Sequence, residues 1–353
     1  MSVDPAQPKH FSPGRSLLLA SLIVGGLLLL AEAGLRLIGV APPQRPRILL
    51  RSMDMDVSFP FMRPDRELFW SLEPGWRGAF QGRQVTIDSL GLRGAEPARP
   101  KPPGARRLAC FGDSITFGFG LDDRDAYPQQ LGARLAERRV EVLNAGTTGY
   151  TSHQVLGLLR RLAPSLQLDA ALVLVGWNDG NARAMNDRLY AGRIARELAL
   201  EQALDHVYLY RLFKGLYLRA QARSVRRGGA PATAAARAGD DTGRGARVPV
   251  AEYRENLAAI VAECRARGIR PALLPLPMRR PHPDPAFDSP YPAALADAAR
   301  SLGVPLLDLG PLAYAEQGSD TDADFIDAIH WSAAGAALAA RLIEPQLAQI
   351  GLP

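Results

Sequence analysis

From Arg107 onward, short apolar runs alternate with longer stretches in which apolar residues recur at helical spacing. The runs are "RLACFG" (107–112), "VEVLNAG" (140–146), "AALVLVG" (170–176), "PALLPLP" (271–277) and "VPLLDLG" (304–310). Between them lie "YPQQLGARLAERR", "SHQVLGLLRRLA", "VAEYRENLAAIVAECRARG" and "YPAALADAARSLG". Apolar runs of this length, joined by amphipathic helices, predict parallel strands covered on both faces. The economical reading is one α/β domain over 106–350 with a five-stranded parallel sheet. Two departures interrupt it. Residues 185–223 read as an inserted helical pair, and 224–248 lack periodicity and aromatics and read as a disordered loop.

The pattern upstream is different. "SLLLASLIVGGLLLLA" (16–31) is uninterrupted apolar or small. Continued through "EAGLRLIGVA" it reaches the roughly 20 residues a spanning helix needs, provided Glu32 and Arg36, four apart, pair on one helical face near the interface. Residues 1–40 are therefore expected to be a retained signal-anchor. The alternative is cleavage near Ala33, because "AEA" (31–33) has the small-x-small pattern of a processing site. Arg36, Arg45, Arg47 and Arg51 outnumber the positive charges before the run, which by charge alone favours a cytoplasmic downstream side. A long following domain translocates regardless of such charges, and an exported domain is expected. Residues 41–105 hold Phe59, Phe61, Phe69, Trp70 and Trp76, then a hairpin pattern over 78–94, and read as a small β-containing extension ending in a Pro-rich linker.

Composition changes this picture little. The chain has 353 residues, 47 % of them hydrophobic and 22 % charged, which suits a globular domain with a sizeable core. The net charge of +6 comes almost wholly from arginine, because only Lys9, Lys101 and Lys214 are lysines. Arginine recurs in the Ala/Gly-rich stretch after 220, without interleaved aromatics, so a nucleic-acid partner is not expected. Cys110 and Cys264 have no metal or redox spacing and read as small buried hydrophobes. His10, His153, His206 and His282 do not cluster, so neither a metal nor another cofactor is expected.

In an open parallel sheet, ligands bind beyond the carboxyl ends of the strands. Those ends carry "GDSITFG" with Ser114, "NAGTTGYTS" with Gly146 and Gly149, and "GWNDG" with Asn178 and Asp179. "DFIDAIHWSAAG", with Asp327 and His330, follows the fifth run. Acyl transfer needs this inventory. A serine hydroxyl is a weak nucleophile until a base takes its proton. His330 suits that role, with Asp327 to hold its other ring nitrogen, whereas His153 lacks a carboxylate at short spacing. An oxyanion needs fixed donors, and the N–H groups of Ser114 and Gly149 with the Asn178 amide would supply them. Taken singly, these are also ordinary helix caps and turn residues.

The ordered set Ser, Gly, Asn, His resembles the SGNH/GDSL hydrolase superfamily over about 106–345, apart from the insertion at 185–248. "FGDSITFG", "NAGTTGYTS", "GWND" and "DAIHWSAAG" carry the likeness, with Ile115 where the family usually has leucine, and no G-x-S-x-G points to another hydrolase fold. The resemblance implies a flavodoxin-like three-layer α/β/α sandwich and an esterase, lipase or acyl-hydrolase mechanism. It implies Ser114 as nucleophile, Asp327 and His330 completing the triad, and Gly149, with Gly146 as fallback, and Asn178 as oxyanion donors. With the N-terminal anchor, "VTIDSLGLRG" (85–94) resembles membrane-anchored bacterial members. By that analogy the expected enzyme sits in the bacterial inner membrane, its domain in the periplasm or outside the cell, and removes small acyl groups such as acetyl from a glycan. An acyltransferase with the same triad, or a non-catalytic envelope-assembly subunit, are the alternatives.

Overall fold

A computed structural model describes residues 13–39, 59–181, 186–204, 206–216, 245–277, 289–317 and 322–353. Of the stretches read above, 41–58 and 217–244 lie outside the described residues. The described chain divides into two compact units, one of 1–46 with 197–229 and one of 47–196 with 230–353.

The larger unit is built on a parallel sheet. Strands β5 (Arg106–Gly112), β6 (Val140–Gly146), β7 (Ala170–Leu174) and β8 (Arg270–Leu273) stand in the order β6-β5-β7-β8. In register, Gly112 lies opposite Gly146 on one side and Leu174 on the other. Alternation along the strands divides the side chains between two layers. Leu108, Cys110, Leu172, Leu174 and Ala272 pack with Tyr127, Leu131 and Leu135 of α3 (Tyr127–Leu135) and with Ala336, Ala340 and Ile343 of α10 (Ala333–Ile343). The intervening Ala109, Phe111, Ala171 and Val173, also fully buried, face α4 (Ser152–Leu166) and α7 (Val250–Ala266), with α8 (Pro290–Leu302) packed on α7. Both cysteines are buried in this framework.

The sheet has four strands where five were expected. The fifth run contributes a single parallel bridge, Leu306 to Leu273, made by Leu273 N–H to Pro305 O (2.9 Å) and Leu307 N–H to Leu273 O (2.8 Å). Pro305 has no N–H to extend a ladder. Asp308 then accepts the N–H of Gly310 (3.0 Å) and turns the chain into α9 (Gly310–Gln317). The spatial order 2-1-3-4, with the bridge in fifth place, is the doubly wound order that sets a crevice at the carboxyl ends of the first and third strands.

The extension before the sheet forms two hairpins. The alternating stretch becomes β3 (Arg77–Phe80) and β4 (Arg83–Thr86), joined through Gln81 and Gly82, both at positive φ as a tight two-residue hairpin requires. The pair β1 (Met62–Asp65) and β2 (Phe69–Leu72) had no period-two signal, because Phe69, Trp70, Ser71 and Leu72 are buried on both faces. In the turn after β4, Asp88 accepts the N–H groups of Leu90 and Leu92 on Oδ1 (2.8 Å each), while buried Oδ2 has no partner among the described residues. Burial raises its pKa from 3.8 to about 6 against those two hydrogen bonds. Between these values the native state holds the extra proton, so stability falls as pH rises from about 4 to about 6 and is level above. Asp88→Asn removes that ionisation. Thermal melts should show the variant gaining Tm over the parent at pH 8 and losing the advantage at pH 4; an equal difference at both would contradict the assignment.

The smaller unit contains α1 (Pro13–Leu37), whose residues 14–37 are long and apolar enough to cross a membrane, as a signal sequence also is. The expected Glu32–Arg36 pair forms, at 2.7 Å. Within the stretch 185–223, α5 (Asp187–Leu204) and a helix over 208–216, α6, form.

Candidate active site

Ser114 stands where β5 gives way to α2 (Ser114–Phe117), and is only 6 % exposed. Asp113 caps that turn, its Oδ1 accepting the N–H of Ile115 (2.9 Å). The helix is a single turn ending at Gly118. Opposite Ser114, residues 324–332 close into a short loop through Ile326 N–H to His330 O (2.9 Å) and Ser332 N–H to Asp324 O (2.8 Å). Ser332 then caps α10 by accepting the N–H of Gly335.

That loop aims His330 at the serine. His330 Nε2 lies 2.8 Å from Ser114 Oγ, and Nδ1 lies 2.7 Å from Asp327 Oδ2. Asp327 Oδ1 accepts the N–H groups of Ile329 (2.9 Å) and His330 (2.8 Å). Burial raises the Asp327 pKa, but the His330 hydrogen bond and charge, with these N–H groups, outweigh it and hold the carboxyl near 2. An ionised Asp327 favours the tautomer with the proton on Nδ1, which leaves the Nε2 lone pair facing the hydroxyl. The Phe119 ring packs against the imidazole at 5.2 Å.

Asn178 ties the neighbouring loops together. Its Nδ2 donates to Asp113 Oδ2 and to Tyr150 O, both 3.1 Å, linking the residue before Ser114 to the residue after Gly149. Both amide hydrogens therefore have protein partners. Gly149 adopts φ +82°, a conformation that favours glycine. Gly146 is placed otherwise: its N–H goes to Asn144 Oδ1 (3.0 Å), and a Cβ on it would lie 2.2 Å from Phe117 N, so it serves close packing behind the serine turn. Asp179, fully buried, accepts Ser152 N–H and O–H, and burial raises its pKa to about 7. His153 stacks on Phe69 instead of meeting Ser114. Among the described residues, no three His, Cys, Asp or Glu side chains are placed to hold a metal.

Two arginines absent from the sequence reading hold these loops from behind. Arg93, from the extension, is buried and donates to the carbonyls of Phe117 (2.6 Å), Gly118 (2.7 Å) and Leu121 (2.7 Å), with Asp123 as its counterion at 2.9 Å. It fixes the turn that carries Ser114. Arg247 donates to Gly149 O (2.6 Å) and Gln154 Oε1 (2.7 Å) and pairs with Asp187 at 3.0 Å, both side chains essentially inaccessible. Thr151 O–H reaches the same carboxylate at 2.7 Å. Arg247 lies at the end of the stretch read as a disordered loop, so its last residues, Ala246 to Val248, are buried structure. They lack periodicity because side-chain bonds to carbonyls hold them, not an apolar face. The extension adds Trp70 Nε1–H to Thr148 O (3.1 Å) and accepts Tyr150 O–H on Trp70 O (2.6 Å).

The profile of the GDSL-like lipase/acylhydrolase family matches residues 110–338. No curated protein matches the chain by sequence. Among solved structures, a lipase/acylhydrolase from Enterococcus faecalis is similar at 18 % identity and TM-score 0.43, covering 69 % of this chain and 95 % of that one. An acetyl-xylooligosaccharide esterase from Geobacillus Stearmophilus, as an arginine-to-alanine mutant, is similar at 18 % identity and TM-score 0.45, covering 72 % and 97 %.

Proposed function

Because the chain belongs to the GDSL-like lipase/acylhydrolase family and is an ester-bond hydrolase, we propose that Ser114 is its nucleophile, with His330 as base and Asp327 as the group that orients it. The observation that carries this is the continuous hydrogen-bonded line from Ser114 Oγ through His330 to Asp327. As Oγ bonds to the ester carbonyl carbon, its proton passes to Nε2 and the carbonyl electron pair moves onto oxygen. The N–H groups of Ser114 and Gly149 and the Asn178 amide receive that oxyanion, which competes with the resting partners of the amide; one such donor typically contributes about 10²–10³ in rate. Collapse breaks the bond to the alcohol, which leaves with the proton from His330. Water then releases the acid by the same steps.

A small acyl group, acetyl above all, is the proposed substrate moiety. The pocket beside Ser114 is lined by Phe119, Leu121, Tyr127 and Trp331 and leaves almost no open volume, which supports a short acyl chain over a long one. The proposed alcohol is a hydroxyl of an envelope or exported glycan, with α1 retained as a single-pass anchor and the hydrolase unit outside the cytoplasm. The test is a panel of p-nitrophenyl acetate, butyrate and octanoate beside an O-acetylated oligosaccharide, with acetate release measured. Preference for acetyl esters and release of free acetate support the reading. Preference for octanoate overturns the acyl assignment, and acetyl recovered on an acceptor sugar overturns hydrolysis.

A further inference from the structure

The insertion absorbs nothing of the proposed chemistry, yet its second helix is bound to the apolar helix α1 by a set of specific contacts. Glu32 receives the first two N–H groups of α6, from Tyr208 (3.0 Å) and Leu209 (2.9 Å). Arg36, paired with Glu32, donates to His206 O (2.7 Å), and its guanidinium lies over the Tyr208 ring at 4.8 Å. A carboxylate in an otherwise apolar helix is costly unless satisfied, and here it caps a second helix. The start of α6 is thus fixed to the last turns of α1.

The distances along α1 place that junction. At 1.5 Å per residue, Arg15 and Arg36 are about 31 Å apart along the helix. That matches the roughly 30 Å hydrocarbon core, with one arginine at each boundary. Arg36 therefore lies at the boundary, Glu32 about 6 Å inside it, and α6 starts beside them. Its composition fits that depth: Tyr208 and Tyr210, Arg211 and Lys214 accompany Phe213 and Leu216, which are 61 % and 51 % exposed. Aromatic and cationic residues with apolar ones on a solvent-facing side are what an interfacial helix presents to lipid.

We propose that α6 is the second element of the membrane anchor, lying at the bilayer interface with Phe213 and Leu216 inserted among the acyl-chain ends and locked to α1 by Glu32 and Arg36. This rests on the reading of α1 as a retained anchor and strengthens it, because a cut after Ala33 would remove Glu32 from the junction. The function of the insertion is then attachment: the chain returns to the bilayer a second time.

The test uses the full chain reconstituted in vesicles of three parts phosphatidylcholine to one part phosphatidylglycerol. Single cysteines carrying an environment-sensitive dye are introduced as Phe213→Cys, Leu22→Cys and Arg124→Cys, with Cys110 and Cys264 replaced by alanine. Arg124 is a water-exposed reference, its side chain 89 % accessible. Blue-shifted emission at 213, several-fold weaker iodide quenching than at 124, and quenching by lipid spin-labelled near the carbonyls support the proposal. If 22 is quenched by deeply labelled lipid while 213 behaves like 124, the proposal falls and the anchor stands. If 22 is also water-accessible, the anchor falls and takes the proposal with it. Glu32→Ala with the dye at 213 should raise iodide quenching; no change would overturn the lock.

Discussion

Ser114→Ala should hydrolyse p-nitrophenyl acetate about 10³–10⁶-fold more slowly than the parent enzyme. The hydroxyl is the only group the substitution removes, and its partner His330 keeps its bond to Asp327, itself held by two backbone N–H groups. Folding is therefore expected to survive, with Tm unchanged, and the loss should fall on kcat. Parent protein should label at Ser114 with a fluorophosphonate probe and the variant should not. A variant that kept activity or labelling would move the nucleophile elsewhere.

Arg247→Met should lose about 3–5 kcal/mol of stability, because it strips the buried Asp187 carboxylate of its arginine counterion. For a chain of this size that is a Tm drop on the order of 10 °C. Adding Asp187→Leu should restore much of the loss, since an apolar pair of similar volume is often as stable as a buried ion pair. The double variant also separates positioning from stability. It restores packing but not the bond to Gly149 O, so its kcat should stay about 10–100-fold below the parent at temperatures where it is fully folded, with KM less affected. Full recovery of kcat would limit Arg247 to a structural part.

The parallel sheet could be read from the chain because its strands are buried on both faces and so appear as unbroken apolar runs. The fifth run has the same composition, and only Pro305 and the cap at Asp308 hinted that it would stop at one bridge. The line Ser114–His330–Asp327 was readable because the Asp-x-x-His spacing and the strand-end position of the serine constrain one another. Arg93 and Arg247 were not. In an arginine-rich chain nothing local marks which guanidinium will be buried, since the carbonyls that receive it come from loops far away in sequence. The Glu32–Arg36 pair follows from helical spacing, but that Glu32 caps a helix 176 residues on does not.

The Asp187–Arg247 contact also closes a ring. Asp187 N–H meets Arg247 O at 2.7 Å in addition to the ion pair, so two points well apart in the sequence are held together beside the Gly149 carbonyl. Loop-closure entropy rises only about 0.6 kcal/mol per doubling of length. Everything between those two residues can therefore lengthen, shorten or be exchanged at little cost to the strand ends. The paired ends hold the Gly149 loop in place whatever the length of the chain they enclose.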